Sequence, residues 1–178
     1  MRTPARSVTR RSALGLMTAA ALVTPAAAQL GQALVSLPPG LRLRDLAVDT
    51  SRLARLGNPA GADLVAADLT RSLREVFADL LAPRGAGGAA LLARISSLYL
   101  ADYAGTRSYN GRDGGGNNDD LEGVGIVSAG GRVLAEVPIL SVLDAGYSGA
   151  WYQPDIDARR VASICHHFAY WLRREIGV

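Results

Sequence analysis

The chain has 178 residues, 49% of them hydrophobic, and its 19 basic and 16 acidic residues give a formal net charge of +3. Every basic residue is Arg, which excludes a phosphate-loop lysine, and the single cysteine, Cys165, excludes an internal disulfide. Stability is therefore left to burial.

The first 28 residues read as an export leader. Arg2, Arg6, Arg10 and Arg11 supply positive charge with no acid, an apolar run follows from Ala13 to Val23, and small residues Ala26-Ala27-Ala28 precede Gln29. That layout is a cleaved secretory signal, too short and wrongly flanked for a membrane span. Thr9-Arg10-Arg11-Ser12-Ala13-Leu14 resembles the twin-arginine core and departs from it at Ala13 and Gly15, so the general secretory route stays open beside the twin-arginine one. With no Cys at the processing site, no lipid anchor is expected. Removing residues 1–28 leaves 150 residues with fifteen bases against sixteen acids, a net charge of −1. The basic character belongs to the leader, and nucleic acid is not an expected partner. The expected location is the periplasm, with no membrane span after cleavage.

Residues 29–40 read as a flexible tether ending in Pro38-Pro39-Gly40, and residues 41–178 as a single domain. Period-two alternation over Leu41–Asp49 predicts a strand with a bulge near Asp45. After a loop or short helical turn at 50–58, the spacing of Leu69, Leu73, Val76 and Leu80, with Val65, Ala66 and Phe77 beside them, predicts an amphipathic helix over 60–82. Pro59 suits its start, and Pro83 with Gly85 its stop. Ala89–Tyr103 predicts a second strand. A Gly- and Asn-rich loop at 105–120 follows, then strands over 121–127 and 132–143 joined by Ala129-Gly130-Gly131. Pro138 marks the fourth strand as an edge strand or a broken one. After a loop at 146–154, Asp155 or Asp157 is expected to cap a last helix running to about Ile176. Val161, Ile164, Cys165, Phe168, Trp171, Leu172 and Ile176 form its apolar stripe, with Arg159, Arg160, Arg173 and Arg174 facing water or an acidic partner. The order β-α-β-β-β-α predicts an α+β fold, with two amphipathic helices on one face of a four-stranded, mostly antiparallel sheet.

No motif assembles a familiar catalytic or cofactor site. In Cys165-His166-His167 each side chain points about 100° from the last around a helix, so the three cannot converge on one metal. Gly114–Leu121 resembles a single calcium-binding nonapeptide unit with Asn117 in place of Gly; such repeats bind between successive turns, so one copy builds no site. Gly123-Val124-Gly125 lacks the third glycine and the following helix of a dinucleotide fingerprint. Asp144, Asp155 and Asp157 near Tyr147 could form a carboxylate pair but serve equally as helix caps. Neither cofactor nor metal is expected. Tyr147, Trp151 and Tyr152, in a glycine-bearing loop, are the leading binding residues, because rings held in a loop can anchor a partner. The competing expectation is that Trp151 and Tyr152 fold back as a lid on the core.

The "R-D-x-x-V-D" ending of the first strand (Arg44 to Asp49), the "D-x-x-E-G" approach at Asp119 or Asp120 to Gly123, and "G-G-R-V-L-A-E-V" at Gly130 to Val137 give the domain a pattern. It resembles small exported bacterial envelope proteins of uncharacterised families and, at fold level, ABC-transport auxiliary lipoproteins and other periplasmic assembly modules. The resemblance implies a non-catalytic envelope role, as a binding or accessory module whose partner is another envelope protein. The alternative is a small periplasmic hydrolase or metal-dependent enzyme using carboxylates of residues 113–122 or 144–157 (Asp119, Asp120, Asp144) or His167. A calcium-responsive loop at 105–120 is a third expectation.

Overall fold

Alternation of side-chain burial organises the domain around one sheet face. The computed structural model describes residues 37–101 and 118–178, so the leader, most of the tether and nearly all of the Gly/Asn-rich loop lie outside the described residues. The elements run β1 (Leu43–Asp49), α1 (Ser51–Arg55), α2 (Pro59–Val76), a 3-10 turn (Ala78–Leu80), β2 (Ala89–Tyr99), β3 (Asn118–Ala129), β4 (Arg132–Asp144), a second 3-10 turn (Ala145–Ser148) and α3 (Ile156–Glu175). The four strands lie in sequence order, with β1 parallel to β2 and the other two pairs antiparallel. The fold is α+β with a mixed, mostly antiparallel sheet. Parallel pairing of β1 with β2 requires a crossover, and α1 with α2 supplies it.

Along β2 the buried residues are Ala89, Leu91, Ala93 and Ile95; along β3 they are Asp119, Leu121, Gly123, Gly125 and Val127; along β4 they are Ala135, Val137, Ile139 and Ser141. Period two turns all of these to the same side, and α2 and α3 lie over it, packed against each other and against the sheet. The opposite face carries no helix among the described residues, and Leu92, Val124, Ile126, Pro138 and Leu140 look out from it. The register shift expected in β1 falls between Leu43 and Asp45. The β3–β4 hairpin closes through Gly130 (φ 56°) and Gly131 (φ 77°), the pair of positive φ values a two-residue type I′ turn requires. Pro138 does lie in an edge strand.

Helix α2 starts on Pro59, behind Asn58, whose side chain accepts a hydrogen bond from the Gly61 amide at 2.9 Å. Val65, Leu69, Leu73 and Phe77 are fully buried. The helix stops at Val76, earlier than the expected 82, so Leu80 leaves the helical phase and is only half-buried. On α3, Val161, Ile164, Cys165, Phe168 and Leu172, with Ile176 at its C-cap, enter the core, while Trp171 is half-buried at its margin. Helix and sheet approach closely at one point. A Cβ on Gly125 would lie 2.2 Å from Leu172 Cδ1, so that glycine serves packing, and a neighbouring Gly123 Cβ would meet the Arg94 carbonyl at 2.6 Å.

Two expectations for α3 are corrected. Asp155 stands at the N-cap position, but its side chain caps no backbone N–H; it accepts from Arg159 Nε at 2.8 Å instead. Arg160 does not face water. Its side chain is only 2% exposed and pairs with Asp119, whose own side chain is 3% exposed.

Candidate functional site

Three groups of polar or aromatic residues are candidates for function. The first is the buried pair. Asp119 lies in β3 rather than in a solvated loop, because the strand begins at Asn118, three residues before the expected start. Inward alternation drives its carboxylate into the core side. It accepts from Arg160 Nε at 2.8 Å, from Arg160 Nη2, and from the Ala101 amide at 3.1 Å, while Arg160 Nη2 also donates to the Ala101 carbonyl at 2.7 Å. Every oxygen of the carboxylate is thus engaged. This cluster ties the end of β2 and the start of β3 to the first turn of α3, and leaves Asp119 no oxygen turned toward solvent.

The second group joins β4 to α3. Trp171 Nε1–H donates to His167 Nε2 at 2.7 Å, and His167 Nδ1 lies 2.8 Å from Ser141 Oγ. Because indole is only a donor, Nε2 is the unprotonated nitrogen, so Nδ1–H donates to Ser141 Oγ. Ser141 in turn donates to the Ile164 carbonyl at 3.3 Å. Burial, and to a lesser degree the neighbouring His166, lowers the His167 pKa below its ordinary 6.5. The arrangement contains a serine and a histidine but is built for fastening: Ser141 is fully buried, and the basic nitrogen is already occupied by Trp171. A dyad of nucleophile and base needs that nitrogen facing an accessible hydroxyl.

The third group is aromatic and exposed. Tyr147, Trp151 and Tyr152 are 73%, 66% and 74% exposed. Trp151 and Tyr152 therefore do not close over the core; they meet each other edge to face with centroids 5.9 Å apart. The turn that presents them begins where Asp144 accepts from the Gly146 amide at 2.8 Å, which commits that carboxylate to local structure. Tyr147 also walls a cleft of about 460 Å³, together with Leu143 at the end of β4 and Ala162, Ser163, His166, His167 and Tyr170 of α3. A hydrogen bond between Ser148 and Ser163, 3.0 Å, holds the turn to the helix. The cleft is largely apolar, holds no carboxylate in its lining, and is in the size range of small-ligand or side-chain pockets. Trp151 and Tyr152 are not among its lining residues. Tyr170 was not singled out from sequence, although its helical position off the apolar stripe was a visible signal.

Asp120 faces the open side of the sheet, opposite Val142. Burial, then the charge of Asp119, raises its pKa. Burial likewise pushes the Cys165 thiol up to about 12, which leaves it inert at neutral pH. Among the described residues no group of three or more His, Cys, Asp or Glu is placed to hold a metal ion. No helix is long and apolar enough to cross a membrane, again among those residues. The calcium-loop expectation rests on residues 105–117, outside the described residues.

Comparison of the chain with protein-family models, with curated proteins and with solved structures finds no match.

Proposed function

We propose that this protein is a non-catalytic accessory module of the bacterial envelope, exported to the periplasm, that works by binding another protein. The observation that carries this reading is the exposure of three large aromatic side chains, Tyr147, Trp151 and Tyr152, within six residues of one another beside an aromatic-walled cleft. Large exposed rings gain most by being covered, and such residues dominate the energetics of protein interfaces. The leader pattern at residues 1–28 supports the location. The hydrolytic alternative is disfavoured by specific contacts: Asp119 is consumed by Arg160, and His167 by Trp171 and Ser141.

The test is a photo-crosslinking amino acid at Tyr152 in cells, with cell fractionation to establish where the chain resides. The reading expects one reproducible crosslinked protein, lost when Tyr147 and Trp151 become Ala, with the melting temperature of that double variant unchanged. A large fall in melting temperature would show that the rings serve the fold, and stoichiometric metal in the purified protein would favour the enzymatic alternative.

A further inference from the structure

The open edge of the sheet and the cleft belong to one geometry. β4 ends the strand order, and no described strand pairs with its outer edge. Proline has no N–H to give to β3, so the Pro138 nitrogen faces that edge. Alternation turns the N–H groups of Leu140 and Val142 the same way, while Ile139, Ser141 and Leu143 bond inward to β3. Beyond Pro138, β4 therefore presents a short ladder of donors and carbonyls that no described strand uses.

Side chains complete the picture on both faces. On the open face Leu140 is 65% and Val142 39% exposed, which suits edge residues awaiting a cross-strand neighbour. On the helix-covered face the cleft begins at Leu143 and is walled by α3 and Tyr147. That is where an inward side chain of an added strand would project. Charge adds a preference. Glu122 and Asp120 stand opposite Leu140 and Val142 on β3, and Glu136 and Asp144 flank them along β4. No base stands at any of these positions.

We propose that the C-terminal half of β4 receives an extended segment of another protein as a fifth strand, with a bulky apolar side chain of that segment filling the cleft and basic residues at its outward positions. This rests on the reading of the domain as a protein-binding module and names what it binds. Strand addition takes affinity from main-chain hydrogen bonds and specificity from pockets for alternate side chains, and both are present here. A second copy of this chain fits poorly as the occupant. Its own β4 would offer Ile139 and Ser141, which are already buried beneath its own α3, and it would carry that helix into the space to be filled.

The experiment selects phage-displayed random peptides of about twelve residues on the full chain, then measures the synthesised winners by calorimetry and amide exchange. Expected are peptides with apolar residues at alternate positions flanked by Arg or Lys, slowed exchange at Leu140 and Val142, and binding about tenfold weaker or worse to Val142→Pro and to Ala162→Phe. The first variant removes an edge donor without touching a bond to β3; the second fills the cleft. Should Val142→Pro lower the melting temperature, Ala162→Phe and the exchange pattern decide. Binding indifferent to both variants but lost in Trp151→Ala overturns strand addition and leaves the protein-binding reading standing. Failure to select any peptide counts against both. Protection of the same amides by self-association, without peptide, makes the occupant a second copy and overturns the proposal.

Discussion

Replacing Arg160 with Met tests how the domain tolerates charge in its interior. The guanidinium donates two hydrogen bonds to Asp119 and one to the Ala101 carbonyl, and both charged side chains are 3% exposed or less. Met fills similar space without charge, so Asp119 is left buried with the Ala101 amide as its remaining donor. Removing one partner of a buried pair costs about 3–5 kcal/mol, since the survivor keeps its desolvation penalty. For a domain of this size that corresponds to a fall in melting temperature of roughly 10–17 °C. The companion double variant, Asp119→Leu with Arg160→Met, removes both charges and is expected to recover most of the loss, because a buried pair replaced by apolar groups is often close to neutral. Urea denaturation followed by far-ultraviolet circular dichroism, run on the wild type, both single variants and the double variant, gives the coupling energy. Arg160→Met within about 1 kcal/mol of wild type would refute the buried-pair reasoning. So would a double variant no better than the worse single one. Asp157→Asn serves as control: it meets the same guanidinium at 3.3 Å but is exposed, so little change is expected.

Gly125→Val places a side chain where Leu172 already sits and is expected to cost about 1–3 kcal/mol, partly restored by Leu172→Ala; an unchanged melting temperature would show that the helix yields freely. His167, with its pKa below 6.5 in the folded state, binds its proton later than in the unfolded chain. Its contribution to stability is therefore complete above 6.5 and is lost as pH falls from there through the folded value. In His167→Gln that part of the pH–stability slope should vanish, as urea midpoints across the window would reveal. Cys165, buried with its pKa at about 12, is expected to resist a thiol reagent in the folded protein and to react on unfolding; fast labelling without denaturant would contradict its burial.

Local rules were enough for elements whose identity depends on near neighbours. The spacing of Val65, Leu69 and Leu73, and that of Val161, Phe168 and Leu172, each mark one face of a helix. Gly130-Gly131 announced the hairpin because few other residues accept two positive φ values in succession. The acidic stretch before Leu121 was harder. Asn118-Asp119-Asp120 is poor in strand formers, and β3 extends through it because one carboxylate meets an arginine 41 residues later. Propensity carries no information about a partner so distant.

From its own order of residues the chain determined the α+β class, the β-α-β-β-β-α succession with its closing hairpin and the packed sides of α2 and α3, since periodicity needs only local geometry. That β1 runs parallel to β2 through a helical crossover was decided by the strand pairing. Tertiary structure alone decided that Arg160 is interior while Arg159 is exposed, that Trp151 and Tyr152 stand in solvent instead of sealing the core, and that Leu143, Tyr147 and Tyr170 enclose a common cleft beside an open strand edge. Each of these depends on what another element leaves covered or uncovered. Burial and juxtaposition are properties of the assembled domain, and no single segment encodes them.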